Sequence, residues 1–231
     1  MQADLATRPL GAYFSTVTVL LLILSIVAFS DNLFTNVGQP SNKDPKFVIH
    51  GLFGLAWYVL LATQANLVRV RNVALHRRLG IATFIVAIGV TLSTLYIFIV
   101  VWKGWGNMSP EVRANRLMLL GYATCLWMAW QLRRQAALHK RLILVGSFFM
   151  LEPVLARAYD PLVASWAKVL FPSFFTEQAD EIGFQLFLWG GWIGAFVSLA
   201  IYDLKTQKAA HLATASGFAW MSFALLVSVF T

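Results

Sequence analysis

Apolar runs of about 20 residues alternate along this chain with short polar connections. The runs fall at about 10–30, 47–68, 79–102, 112–132, 142–159, 182–204 and 212–230. A helix rises 1.5 Å per residue, so about 20 apolar residues match the roughly 30 Å of a bilayer's hydrocarbon core. The pattern therefore predicts an all-α fold, a seven-transmembrane helical bundle forming one integral membrane domain over residues 1–231. The first run exceeds the usual core of a signal peptide and reads as a retained span. Turn residues punctuate the first connection: Asp31, Asn32, Gly38, Pro40, Ser41, Asn42, Asp44 and Pro45. Before the fourth run, Ser109-Pro110-Glu111 supplies an N-cap, a first-position proline and an acid in the first turn. Pro153, directly after Glu152, removes a backbone donor within the fifth run and predicts a kink there. Residues 161–180, with Trp166, Lys168, Phe171, Pro172, Phe174 and Phe175, read as an amphipathic segment lying in the interface.

One short pattern repeats. Ala74-Leu75-His76-Arg77-Arg78-Leu79 recurs as Ala137-Leu138-His139-Lys140-Arg141-Leu142, 63 residues later, and a weaker echo, Ala209-Ala210-His211-Leu212, follows after another 72. Each copy follows the basic tail of one apolar run and opens the next, which predicts repeated helical hairpins. Alternate connections collect Arg8, Arg69, Arg71, Arg77, Arg78, Arg133, Arg134, Lys140, Arg141, Lys205 and Lys208. The other side carries Lys43, Lys46, Lys103, Arg113, Arg116, Arg157 and Lys168 among most of the acids. The positive-inside rule then predicts N-terminus in and C-terminus out.

Composition agrees: 59% hydrophobic, 12% charged and mean hydropathy +0.69 lie outside the soluble globular range. A net charge of +8 would suit nucleic acid if it were gathered on one surface. Here the basic residues sit in clusters at the ends of apolar runs, which suits anionic lipid headgroups instead. The lone Cys125 lies inside an apolar run, so no disulfide framework or cysteine metal knot is available. No Gly-rich phosphate loop, Ser-His-Asp set or mid-span lysine in the last run can be drawn. The step from Gly190 to Gly194 predicts a close helix–helix contact, within this bundle or with another membrane protein.

Two constellations carry candidate chemistry. Under the predicted topology His76, His139 and His211 share one depth, and neutral imidazoles there would suit zinc, copper, iron or a haem. The same histidines stand beside Arg77, Arg78, Arg133, Arg134, Lys140 and Arg141, at helix starts, where a collar binding lipid headgroups is equally expected. The second set is an intramembrane polar pocket of His50, Gln64, Arg116, Glu152, Arg157 and Gln185. His50, Trp57 and Gln64 recur at heptad spacing and should face protein, because unpaired polar groups are costly in hydrocarbon. Arg157 falls on a different helix face from Glu152 and is expected to pair with Asp160, leaving Glu152 to find a partner on another helix. Ionisable groups inside spans point to function, with a packing network as the alternative.

The order His50, Gln64, His76-Arg77-Arg78-Leu79-Gly80, His139-Lys140-Arg141-Leu142 and Arg157 resembles a broad group of bacterial polytopic membrane proteins. In these, a His-Arg-x-x-Gly step opens one helix and a His-(Lys/Arg)-Arg step opens another; His211 has no counterpart in the pattern. Some are linked with respiratory oxidase assembly or haem, so the resemblance implies a multi-pass bacterial inner-membrane protein of the redox sphere, in which the histidines would hold haem or a metal or help deliver one. The residues alone equally support a transporter or lipid-binding protein using the Glu/Arg/His pocket, or a scaffold for another membrane protein. Whether any reaction is catalysed stays open.

Overall fold

A computed structural model describes residues 12–231. Among them the only regular structure is helical: α1 (Tyr13–Ala28), α2 (Pro45–Arg69), α3 (Val73–Val100), α4 (Pro110–Gln131), α5 (Ala136–Phe149), α6 (Glu152–Tyr159), α7 (Ser165–Leu170), α8 (Glu177–Gln207) and α9 (Leu212–Phe230). Arg8 and the first residues of the predicted 10–30 run lie outside the described residues.

Four helices, α2, α3, α8 and α9, are long and apolar enough to cross a membrane, and α5 with the α6–α7 stretch makes a fifth if that bent pair counts as one. The other two predicted spans differ in kind. The first is a helix of only 16 residues, and the fourth carries Glu111, Arg113 and Arg116 in its first two turns. The exterior is apolar: Leu20, Leu52, Ile81, Leu92, Ile99, Leu120 and Leu186 are each more than half exposed. Such a surface is compatible with a membrane protein and unlike that of a water-soluble bundle.

Helix starts follow local chemistry. Asp44 accepts from Lys46 N (3.1 Å) ahead of Pro45 at the first position of α2, Asn72 accepts from Leu75 N (3.2 Å), and Thr176 accepts from Ala179 N (3.2 Å). The Lys46 ammonium, bonded to Asp44, holds that carboxyl below the usual carboxylate range. Ser109 does precede α4, with Pro110 at its start, but its hydroxyl makes no capping bond.

The core lies among α4, α5, α8 and α9, where Met118, Tyr122, Leu144, Val145, Phe148, Leu188, Trp192, Phe196, Leu199 and Met221 are almost wholly buried. Close approach depends on glycines other than those expected. Nothing lies within 4 Å of where a side chain would start at Gly190 or Gly194, whereas Gly191 between them packs on Leu155, at 2.8 Å from a built Cβ.

The predicted kink is a break: α5 ends at Phe149, α6 begins at Glu152, and the two stretches meet at 50°. Pro153 offers no N–H to the Phe149 carbonyl and crowds it, so the helix cannot run through. The Phe148 carbonyl takes Leu151 N (3.2 Å) and the Trp192 indole N–H (2.7 Å) from α8. Beyond α6, a π-helical turn over Asp160–Ala164 leads into α7. That turn points Asp160 at Ser165 (3.2 Å) and Lys168 (3.8 Å), so the pairing of Asp160 with Arg157 expected from spacing does not form. Within residues 161–180, Trp166, Val169, Leu170, Phe171 and Phe174 stand exposed, while the later part already belongs to α8.

Candidate functional site

The three histidines of the repeat do different jobs. The Gln64 amide of α2 lies against the start of α3, oriented so that every partner is complementary. Its nitrogen donates to His76 Nδ1 (2.6 Å) and the His76 carbonyl (3.2 Å), and its oxygen accepts from Gly80 N and Thr83 Oγ1, both 2.9 Å. A neutral His76 accepting at Nδ1 carries its proton on Nε2. His139 does the reverse: its Nδ1 donates to the Ala129 carbonyl (2.8 Å), leaving Nε2 with a bare lone pair. His211 caps α9, accepting from Ala213 N at 3.1 Å through Nδ1. Burial, then Arg141 and Lys140, hold its imidazole below the ordinary histidine range against an opposing pull from Asp203.

Among the described residues no three His, Cys, Asp or Glu side chains come together as a metal-binding group. The expected ligand set of His76, His139 and His211 is thus not assembled. His76 and His139 lie within electrostatic range of each other, but His76 and His211 use their ring lone pairs as hydrogen-bond acceptors, and of the three only His139 keeps one unused.

The basic collar is also divided. Arg77, Arg78, Arg133 and Arg134 are exposed, and Arg133 stacks on Trp130 at 4.8 Å. Arg141 instead turns inward, 3% exposed, and places Nε (2.8 Å) and Nη2 (2.7 Å) on Oδ1 of a fully buried Asp203. Oδ2 of Asp203 accepts from Thr214 Oγ1 (2.5 Å) and His211 N (3.1 Å), so both oxygens are satisfied from α5, α9 and the turn between α8 and α9. Lys140 lies over Phe14 at 4.5 Å and reaches the Tyr202 hydroxyl at 3.3 Å. Arg141 and Lys140 therefore hold helices together, and of the expected collar only Arg77, Arg78, Arg133 and Arg134 remain exposed. Sequence reasoning passed over Asp203; an acid inside the apolar stretch Leu199-Ala200-Ile201-Tyr202-Asp203-Leu204 was the available signal.

Of the predicted polar pocket, part assembles. Glu152, at the α5–α6 break, is 8% exposed and takes no hydrogen bond among the described residues, while Glu111 and Arg157 lie within electrostatic range. Arg157 rests on the Phe29 ring at 4.8 Å and also faces His50, whose Nδ1 meets Ser93 Oγ at 3.1 Å. Gln185 accepts from the Trp189 indole (2.7 Å) and bonds Glu181 (3.1 Å) and Glu111 (3.4 Å), forming a polar rim beside this group. Two members lie elsewhere. Arg116 donates to the Phe98 carbonyl at the end of α3 (2.9 Å) and packs against the Phe98 and Trp102 rings. Gln64 is 14 residues along α2 from His50, about 21 Å by helical rise, and serves His76.

A groove of about 710 Å³ opens between α2 and α3, with Asp44 and Lys46 at its mouth and Ile49, Phe53, Leu92 and Tyr96 along it. A polar mouth over an apolar trough suits an amphiphile. No family model, curated protein or solved structure matches the chain.

Proposed function

We propose that this chain is a multi-pass transporter of the bacterial inner membrane in which Glu152 takes up and releases a proton. In this reading the bundle crosses seven times, N-terminus in and C-terminus out. The 22 residues of α4 span about 33 Å by helical rise, with Arg113 and Arg116 reaching the interface. The 16 residues of α1 and the π-helical turn after it form the first crossing.

The observation that carries the reading is a buried carboxyl, without a hydrogen bond among the described residues, at the start of a half-helix. Broken helices are how transporters bring polar backbone and ionisable groups to the middle of a membrane. The two charged groups within range of Glu152, Glu111 and Arg157, are of opposite sign, so its proton is the quantity this environment governs. The Gln185–Glu111–Glu181 rim gives that proton a polar approach. The exposed Arg77, Arg78, Arg133 and Arg134 and the α2–α3 groove fit membrane lipids as the standing partners.

The test uses the full chain in vesicles loaded with a pH-sensitive dye, under a valinomycin-imposed potassium potential. The protein should acidify the lumen, and Glu152→Gln should slow this at least about tenfold, a change of some 1.4 kcal/mol in the barrier. Flux no greater than in empty vesicles would sink the reading.

A second reading rests on His139. Its Nδ1–H held by the Ala129 carbonyl, with Nε2 bare and His76 nearby, is how an imidazole that ligates haem or a metal is usually oriented, its other ring N–H given to a carbonyl. Purified protein would then show a Soret band or bound metal that falls in His139→Ala. Folded, colourless, metal-free protein ends it.

A further inference from the structure

Near the middle of the bundle, three side-chain polar atoms from two helices have no hydrogen-bond partner among the described residues. They are Trp57 Nε1 and Tyr58 OH on α2 and Tyr122 OH on α4. Their residues are 2%, 5% and 0% exposed. The three side chains form one cluster: the Trp57 indole meets the Tyr122 ring edge-on at 5.7 Å, and the Tyr58 and Tyr122 hydroxyls lie within electrostatic range. Buried hydroxyls and indole N–H groups are nearly always paired in native proteins, by protein or by ordered water.

The cluster sits on a seam that leads to Glu152. Asn115 Oδ1, also buried and unpartnered, is seven residues before Tyr122 on α4 and hence on the same face, about 10 Å along. On the facing helix, Gly146 lies beside the Tyr122 ring, 3.7 Å from a built Cβ, and Glu152 follows six residues later, past the α5–α6 break. The short connection between α4 and α5 makes them antiparallel, so Asn115 and Glu152 both lie from the cluster toward the same end of the bundle.

The chemistry of the unpaired atoms defines their ligand. The indole only donates, the amide oxygen only accepts, and each phenol does both. A water molecule can meet all three demands, and a polar site is where water remains inside a protein. We propose that Trp57, Tyr58, Tyr122 and Asn115 hold a file of internal waters running to Glu152, and that this file is the proton's route through the bundle. The route rests on the transport reading above; the hydration does not. Each water or phenol gives up one proton as it accepts another, so no tyrosinate forms, and one proton is delivered to or drawn from Glu152 per passage.

Two measurements on the full chain test this. Radiolysis of bound water labels side chains that touch it, so after correction for intrinsic reactivity Tyr58 and Tyr122 should be oxidised at least about fivefold faster than Phe148 and Phe149, which are equally buried but apolar. Labelling as slow as that of the phenylalanines overturns the hydration and the route together. In dye-loaded vesicles, the Tyr58→Phe/Tyr122→Phe double variant, which keeps both rings and should keep the melting temperature, should conduct at least about tenfold more slowly. Fast labelling with unchanged flux would overturn the route, leaving waters that only satisfy the fold. Absence of flux in the unaltered protein would remove the Glu152 reading and the route with it, while the labelling would still decide the hydration.

Discussion

Asp203 shows what one buried charge commits a chain to. With no exposed surface, it is held by two guanidinium nitrogens of Arg141, the Thr214 hydroxyl and the His211 backbone N–H. A buried pair is weak evidence of net stability, but removing one partner strands the other. Asp203→Ala should therefore cost about 3–5 kcal/mol in denaturant unfolding in micelles, whereas Arg141→Met/Asp203→Leu should regain most of it. A single variant as stable as the unaltered protein would mean that Arg141 finds water or lipid phosphate instead. Glu152 is the contrasting residue. Its place inside an apolar run was legible because ionisable groups there are rare. Its lack of a partner was not, because that depends on where Arg157 and Glu111 arrive from other parts of the chain.

At the scale of elements, the α5–α6 break has a local cause and a distant support. Pro153 forces the interruption by chain chemistry alone, and sequence reading finds it. The support is Trp192, which bonds the Phe148 carbonyl from α8, 44 residues away. Trp192→Phe keeps most of the packing but leaves that carbonyl with only Leu151 N, and should cost about 1–3 kcal/mol in the same unfolding measurement. An unchanged midpoint would show that the break stands without α8. The repeat teaches the same lesson. The α3 and α5 copies read alike, yet one histidine accepts from Gln64 and the other donates to Ala129. Which nitrogen is free follows from the neighbouring helix, not from the motif.

At the scale of the whole molecule, the seven-crossing reading assigns alternate connections to opposite sides of the bilayer. Labelling of single cysteines in intact cells, on a Cys125→Ser background, separates the sides. Under the seven-crossing reading, Asn42→Cys and Asn107→Cys should react with a membrane-impermeant reagent, and Arg78→Cys and Arg134→Cys should not. Reaction of Arg78→Cys but not Arg134→Cys would break the arrangement that sets His76 and His139 at one level. The sequence alone determined the helical class, a disturbance of the helix at Pro153, which the fold realises as a full break, and the burial of Trp57 and Gln64 on one stripe of α2. These follow from period, run length and the missing proline N–H, which act over a few turns. Only the tertiary structure decided that Arg141 turns inward to Asp203, that Gln64 serves His76 rather than the Glu152 group, and that Trp57, Tyr58 and Tyr122 meet unpaired. Those outcomes are set by which helices lie side by side, and hydrophobic patterning marks a helix's buried face without naming the neighbour that will cover it.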